Sequence, residues 1–247
     1  ADDESGDLGV VFFHKDGFST ACGHGTIALA TWAIDTGLIE IESNEVDVII
    51  DVPSGRLKTT AKIVDAKVES ICFQNVPSFV SATNISLQTS QGIVSADISF
   101  GGAFYASVNT ASLGLSPVAK NIDALVSLGR EIKDLLKNDS RAEHPTESRL
   151  SGVYGTIFYE DVGVDPLHQR NMTVFADGQV DRSPCGSGTS ARLALLYESE
   201  QITMGEPFHN EGVAGEQFIG KVVSADENTV TTTIRKIFTN FSISIWV

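Results

Sequence analysis

The chain has 247 residues, of which 42% are hydrophobic and 20% charged, as in an ordinary globular protein. Its 17 lysines and arginines are outnumbered by 32 aspartates and glutamates, which gives a formal net charge of −15. Phosphate backbones and anionic lipids repel an acidic surface, so the composition argues against nucleic acid and membrane partners. No run of 18 apolar residues predicts a membrane span, and the start, ADDESGDLG, lacks the pattern of a signal peptide.

Short β-like runs bounded by glycine or proline dominate the chain. The predicted strands occupy residues 8–13, 46–52, 66–76, 94–100, 103–108, 152–159, 173–176, 217–224 and 229–234. Residues 122–137 carry apolar side chains at helical spacing with charges between them, which predicts a helix on the surface. Residues 26–38, with Gly37 placed to end the helix, and residues 189–200 are apolar on most faces. Both of these helices should therefore be wrapped by sheet.

The three cysteines, Cys22, Cys72 and Cys185, are odd in number and widely spaced. This usage fits a reducing compartment better than a disulfide framework, so we expect a cytoplasmic protein. Cys72 falls in the alternating pattern of VESICFQNV, which predicts a side chain packed in the core. No C-x-x-C or H-E-x-x-H pattern is present, so no metal site is predicted.

An internal repeat is the strongest signal in the sequence. Residues 8–34 and 171–196 follow one plan, in which an apolar strand and a polar turn precede C-G-x-G-T and a buried helix. Cys22 and Cys185 occupy the same position in the two copies. The repeat suggests two duplicated domains facing each other across a cleft. We place the first half in residues 1–82 and the second in residues 83–247, with the last strands returning to the first half.

Each repeated cysteine is predicted at the start of a helix, where unpaired N–H groups bind anions and favour thiolate over thiol. Glycines remove the side chains where a ligand would approach this backbone: Gly23, Gly25, Gly186 and Gly188. Two opposed helix ends would form a carboxylate-binding nest with one sulfur on each side. This arrangement suits inversion at an amino-acid α-carbon, because one thiolate removes the α-proton while the opposite thiol delivers another.

The same chemistry predicts the redox state of the two cysteines. With each sulfur about 3–3.5 Å from the reacting carbon, the two sulfurs would be roughly 7 Å apart, too far for a disulfide bond. We therefore expect Cys22 and Cys185 to be reduced and unlinked. A thiol–disulfide oxidoreductase is disfavoured, since its paired cysteines should be neighbours.

ACGHGTIALAT (21–31) and DRSPCGSGTSARLAL (181–195) closely resemble the two catalytic segments of the proline racemase family, which includes hydroxyproline 2-epimerases and trans-3-hydroxy-L-proline dehydratases. VPSFV (76–80), SFGGAFYA (99–106) and YGTIFYED (154–161) support the resemblance. It implies a diaminopimelate epimerase-like α/β (α+β) fold with two pseudo-symmetric halves, each a curved sheet around a central helix. The active site would lie between the halves, and neither cofactor nor metal would be used.

The resemblance also implies roles for individual residues. Cys22 and Cys185 would be the acid/base pair. Four residues would supply the backbone of the carboxylate nest: Gly23, His24, Gly186 and Ser187. His24 and Asp181 would hold the substrate nitrogen, and Phe175 would be an apolar wall of the ring pocket. The implied partner is a small-molecule substrate, proline or a hydroxyproline, and a homodimer stays open as the assembly.

Three functions stay open at this stage. Both cysteines are present, which favours a racemase or epimerase, because dehydratases of the family commonly replace one cysteine by Ser or Thr. GGAFYA and the helix after it are similar to the eukaryotic dehydratase branch, which keeps a trans-3-hydroxy-L-proline dehydratase as the alternative.

The third function is a truncated, catalytically inactive relative. Family members begin with a longer N-terminal segment carrying a D-x-H-x-x-G-E-P-like motif, and this chain starts inside that domain. The C-terminal IRKIFTNFSISIWV also lacks the expected glycine-rich ending. We therefore expect a shortened chain whose helix at 26–38 is less well covered.

Overall fold

The computed structural model describes residues 1–238, and within them three α-helices are set among many short and medium strands. The helices are α1 (Gly23–Asp35), α2 (Ile122–Leu135) and α3 (Gly186–Glu198). The strands are β1 (Leu8–Gly9), β2 (Phe12–His14), β3 (Gly17–Ser19), β4 (Glu45–Val52), β5 (Gly55–Val64), β6 (Lys67–Gln74), β7 (Phe79–Thr89), β8 (Gly92–Phe100), β9 (Phe104–Asn109), β10 (Val153–Val164), β11 (Leu167–Phe175), β12 (Gln179–Val180), β13 (Phe208–Glu211), β14 (Gln217–Ala225) and β15 (Val230–Ile237).

Thirteen of these strands form one sheet, and β2 and β3 form a separate hairpin. The neighbours in the sheet run in the order β1-β4-β5-β6-β15-β14-β13-β11-β10-β9-β8-β7, and β12 pairs with β11. α3 contacts β14 and β15 and also β7 and β8, which lie far apart in this order, so the sheet must curve around α3. α1 packs on β5 and β6, and α2 lies outside on β10 and β11.

The two apolar helices are covered to different degrees. Every residue of α3 from Gly186 to Leu196 is buried, as the sequence predicts. α1 packs mainly on two strands and leaves Trp32 46% exposed, so the expected wrapping is incomplete on that side. Gly37 follows the end of α1 with φ of 72°, a left-handed conformation that glycine adopts without strain.

The N-termini of α1 and α3 meet at two glycines. A Cβ placed on Gly23 would lie 2.5 Å from Gly186 Cα, and one placed on Gly186 would lie 2.6 Å from Gly23 Cα. The ring of Phe73 closes the same junction, with its Cζ 3.0 Å from the Cβ position of Gly186. Only glycine allows this backbone contact, which puts the residues before the two helices, Cys22 and Cys185, at one place.

Several sequence-based boundaries need correction. Both apolar helices begin three residues earlier than predicted, because the first turns, Gly23–Gly25 and Gly186–Gly188, are glycine-rich and have low helix propensity. β5 and β7 were not predicted, since polar side chains occupy much of their length. Cys72 is partly exposed instead of packed in the core, because β6 turns it to the face opposite Ile71 and Phe73.

The division of the chain into two halves and the nature of its C-terminal end stay predictions. The domain boundary after residue 82 falls inside β7, and β15 pairs with β6, so one sheet runs through both proposed halves. The expectation about the C-terminal end concerns residues 234–247, and residues 239–247 of this segment lie outside the described residues.

Gly186→Ala should lower the free energy of unfolding by about 1–3 kcal/mol, because the new methyl group overlaps the backbone of Gly23. Alanine normally stabilises a helix relative to glycine, so propensity alone predicts the opposite sign. Urea denaturation of both proteins measures the change. Gly163→Ala is the control, since its Cβ would meet its nearest atom, His168 Cβ, at 3.3 Å. A Gly186→Ala protein as stable as the wild type would contradict the helix-end contact.

Candidate active site

A cavity of about 350 Å³ opens where the two helix ends meet. Segments from both copies of the repeat line it, and the hairpin of β2 and β3 covers one side. Seven of the eight residues predicted from the sequence line this cavity: Cys22, Gly23, His24, Phe175, Asp181, Cys185 and Ser187. The eighth, Gly186, lies at the helix junction beside it. The structure therefore brings the whole predicted set together.

The two sulfurs share the cavity but have different surroundings. Cys22 is partly exposed, and its Sγ lies 3.6 Å from Nε2 of His24. Cys185 is only 5% exposed, and its Sγ lies 3.6 Å from the hydroxyl of Tyr105 and 4.0 Å from that of Ser187. Both cysteines are free thiols.

Cys185 is a protonated thiol at neutral pH. Burial and the negative charge of Asp181 raise its pKa to about 12. Hydrogen bonds with Tyr105, the Gly188 N–H and Ser187 lower the pKa but do not offset this. The prediction that each helix start favours the thiolate is therefore wrong for Cys185. The cost of burying a negative charge there outweighs the stabilisation that the N-terminus of α3 would give to a thiolate.

His24 connects the start of α1 to the loop before α3. Its Nδ1 lies 3.2 Å from the hydroxyl of Ser183 and 3.5 Å from Oδ1 of Asp181, while its Nε2 faces Cys22. Burial alone would lower the pKa of His24, but hydrogen bonds to Asp181 and Cys22 and the charges of both groups raise it well above its usual value. At neutral pH the ring is an imidazolium held between a carboxylate and a sulfur.

Asp181 is nearly buried and is fixed by the backbone of its own loop. It is 9% exposed, and its Oδ1 accepts the N–H of Ser183 at 2.9 Å. The carboxylate thus lies on the cavity wall beside His24, and its negative charge raises the pKa of the Cys185 thiol.

Aromatic rings form the opposite wall. Phe175 stacks on Tyr154 with ring centroids 5.7 Å apart and planes 15° from parallel. His14 packs edge-on against both rings. Tyr105 is buried, its hydroxyl lies 2.7 Å from Oγ of Ser187, and burial and the nearby Cys185 raise its pKa, so it is a neutral phenol.

Sequence reasoning missed three of these lining residues, namely His14, Tyr105 and Tyr154. The two tyrosines lie in SFGGAFYA and YGTIFYED, which were singled out only as similar to the family. A hydroxyl-bearing ring inside an otherwise apolar strand was the available signal, because a buried tyrosine needs a hydrogen-bond partner. His14 gave no comparable signal.

The described residues, 1–238, offer neither a metal-binding cluster nor a membrane-spanning helix. No group of three or more His, Cys, Asp or Glu side chains in that range could hold a metal ion. None of the helices described there is long and apolar enough to cross a membrane.

Comparison with known proteins gives consistent matches. The family model described as Proline racemase matches residues 1–239. A trans-3-hydroxy-L-proline dehydratase of Bacillus thuringiensis subsp. konkukian is 43% identical over 218 residues, covering 88% of this chain and 65% of that protein. A proline racemase of Acetoanaerobium sticklandii is 33% identical over 225 residues, covering 90% of this chain and 67% of the racemase. The chain thus spans about two thirds of the length of these curated relatives.

A solved structure extends the match to three dimensions. The hydroxyproline epimerase of Agrobacterium vitis, with bound trans-4-OH-L-proline, superposes with a TM-score of 0.88 at 30% sequence identity. The superposition covers 97% of this chain and 71% of the epimerase. The predicted α/β (α+β) fold and the resemblance drawn from the two cysteine motifs are both confirmed.

Asp181→Asn should lower the pKa of both Cys185 and His24, because the carboxylate raises both values. The pH dependence of Cys185 alkylation, followed by peptide mass spectrometry, and NMR titration of the His24 ring measure the two shifts. Asp177→Asn is the control, since that exposed carboxylate pairs with Lys15 away from the sulfurs. Unchanged profiles in Asp181→Asn would contradict the electrostatic account of the site.

Proposed function

The chain belongs to the proline racemase family, and we propose that it inverts the α-carbon of proline or a hydroxyproline without a cofactor, using Cys22 and Cys185 as its acid/base pair. The observation that carries this proposal is the convergence of two free thiols, one from each copy of the repeat, on a single cavity. Inversion needs a proton acceptor on one face of the carbon and a proton donor on the other.

The helix junction is the proposed site for the substrate carboxylate. The first N–H groups of α1 and α3 have no partner within their own helices, and each helix end carries a partial positive charge. Gly23 and Gly186 bring these two ends into contact without side chains between them. A carboxylate beside this junction, held by the backbone of Gly23, His24, Gly186 and Ser187, would place the α-carbon near both sulfurs.

Asp181 is the proposed partner of the ring nitrogen. An imidazolium can donate hydrogen bonds but cannot accept them, so a cationic His24 cannot accept from a protonated amine. The Asp181 carboxylate can accept, and it lines the same cavity. In this proposal His24 holds Asp181 and faces Cys22, instead of binding the substrate nitrogen as the family resemblance implied. Phe175, stacked on Tyr154, offers an apolar surface for the five-membered ring.

The two sulfurs have distinct proposed tasks at the start of a turnover. Cys185, a buried thiol, is the proton donor for one direction. Cys22, with the charged His24 ring as its neighbour, is the base that accepts the α-proton. Once the proton from Cys185 has reached the opposite face, the charges of the two sulfurs are exchanged, and the reverse reaction starts from that state.

A dehydratase is the second candidate, favoured by the 43% identity to a protein of that name. In that reaction a cysteine removes the α-proton of trans-3-hydroxy-L-proline and a C2–C3 double bond forms. The C3–O bond breaks, and the hydroxyl takes a proton and leaves as water. This chemistry requires no second thiol at the α-carbon.

Proton NMR in D₂O separates the two candidates. The purified chain is incubated separately with L-proline, trans-4-hydroxy-L-proline and trans-3-hydroxy-L-proline. The proposal predicts loss of the α-proton signal together with formation of the other stereoisomer in at least one tube. New NMR signals reveal that stereoisomer for the two hydroxyprolines, and chiral chromatography reveals it for proline. A new unsaturated product from the 3-hydroxylated compound alone would instead establish the dehydratase. No change in any tube would overturn the proposed activity for this chain.

Cys185→Ser should lower the rate of stereoisomer interconversion by at least about 100-fold, because a hydroxyl is a much poorer acid and base here than a thiol. Cys72→Ser is the matched control, since that cysteine lies on β6 outside the cavity. Chiral chromatography of the products gives both rates. Full interconversion by Cys185→Ser would contradict the two-thiol mechanism, whereas retained elimination with lost inversion would favour the dehydratase.

A further inference from the structure

The backbone of Cys185 is strained, whereas that of Cys22 is relaxed. Cys185 has φ of 61° and ψ of 102°, a combination that residues with a side chain rarely adopt. Cys22, at the same position of the repeat, has φ of −151° and ψ of 96°, which is ordinary extended backbone. Strain of this kind persists only where the surroundings enforce it.

Two buried amides hold the peptide group that precedes Cys185. Nδ2 of Asn171 donates to the carbonyl of Pro184 at 3.1 Å, and Nδ2 of Asn210 donates to the same oxygen at 3.3 Å. The two side chains also bond to each other, with Asn171 Nδ2 donating to Asn210 Oδ1 at 2.8 Å. Each residue is 1% exposed, and they lie on the neighbouring strands β11 and β13.

The other end of this peptide and the next peptide are held as well. The N–H of Cys185 donates to Oγ of Ser183 at 3.1 Å. The carbonyl of Cys185 accepts from Oγ1 of Thr189 at 2.7 Å, and this hydroxyl in turn accepts from Nδ2 of Asn210 at 2.8 Å. Cys185 therefore joins two peptide planes that are both fixed, and its φ and ψ follow from them.

We propose that Asn171 and Asn210 are positioning residues that clamp the Pro184 carbonyl and thereby hold Cys185 in its strained conformation, with Sγ between Tyr105 and the cavity. Their contribution to turnover rests on the proposed two-thiol function, whereas their hold on the sulfur does not. This clamp, formed by the Asn171 and Asn210 amides, acts on Cys185 and not on Cys22. The relaxed backbone of Cys22 needs no equivalent.

Loss of the Asn171 or Asn210 amide should allow the φ angle of Cys185 to relax to a negative value. This relaxation would move the Cys185 side chain away from its contact with Tyr105. A displacement of about 1 Å at a reacting group can cost on the order of 100-fold in rate. The affinity for substrate should change much less, because the proposed contacts of the carboxylate and the nitrogen involve other atoms.

The test compares Asn171→Leu and Asn210→Leu with Gln169→Leu. Gln169 is an equally buried amide on the same face of β11, two residues before Asn171, and it bonds to Asp161 and Arg192 instead of Pro184. Thr189→Val, nearly isosteric, supplies a milder variant for the case in which an Asn→Leu protein does not fold. Urea denaturation checks the folding of every variant.

The first readout is independent of activity. Native proteins are treated with iodoacetamide, and peptide mass spectrometry gives the labelling rate of Cys185 relative to that of Cys22. We expect this ratio to rise at least about threefold in Asn171→Leu, Asn210→Leu or Thr189→Val, since exposure and local hydrogen bonds set thiol reactivity. Gln169→Leu should lose stability and keep the wild-type ratio. Folded clamp variants with the wild-type ratio, or an equal shift in Gln169→Leu, would overturn the proposal.

The second readout applies if the wild type turns over substrate. In D₂O the clamp variants should show kcat lowered roughly 10- to 100-fold with little change in KM, and exchange of the α-proton should exceed inversion for one stereoisomer. Equal losses of exchange and inversion for both stereoisomers would contradict a role confined to Cys185. If the wild type is inactive, the proposed function fails, and the labelling ratio alone decides whether the clamp exists.

Discussion

Gly23 and Gly186 pack their backbones against each other, and this contact brings Cys22 and Cys185 to one cavity. It joins two helix N-termini, whose partial positive charges would repel unless an anion were bound nearby. The proposed function places a substrate carboxylate there, so the contact between the two helix ends also marks the proposed ligand site. The curved sheet contributes by wrapping α3 so completely that its first turn cannot withdraw from the junction.

The repeat in the sequence does not produce two equivalent sulfurs. The position after C-G holds His24 in the first copy and Ser187 in the second, so one sulfur faces a cation and the other neutral hydroxyls. Pro184 in place of Ala21 precedes the strained cysteine. The buried thiol of Cys185 and the charged His24–Asp181 pair beside Cys22 would supply the one acid and one base that the proposed inversion requires, which an exact two-fold symmetry could not do.

The repeated motif and the family resemblance together predicted the composition of the site better than its electrostatics. Cys22 and Cys185 meet as the repeat predicted, and His24 and Asp181 join them as the family resemblance implied. The protonated state of Cys185 could not be predicted, since it depends on burial and on the distance to Asp181, which only the folded chain determines. Likewise β5 and β7 were not predicted, because polar side chains occupy much of their length.

The most direct measurement is a crystal structure of this chain with pyrrole-2-carboxylate, whose flat ring imitates the planar α-carbon formed when a proton leaves. The account predicts the ring between the Sγ atoms of Cys22 and Cys185, one on each face, with the carboxylate on the N–H groups at the start of α1 and α3. A ligand with both sulfurs on one face, a carboxylate bound away from the helix ends, or a disulfide between the two cysteines would contradict it.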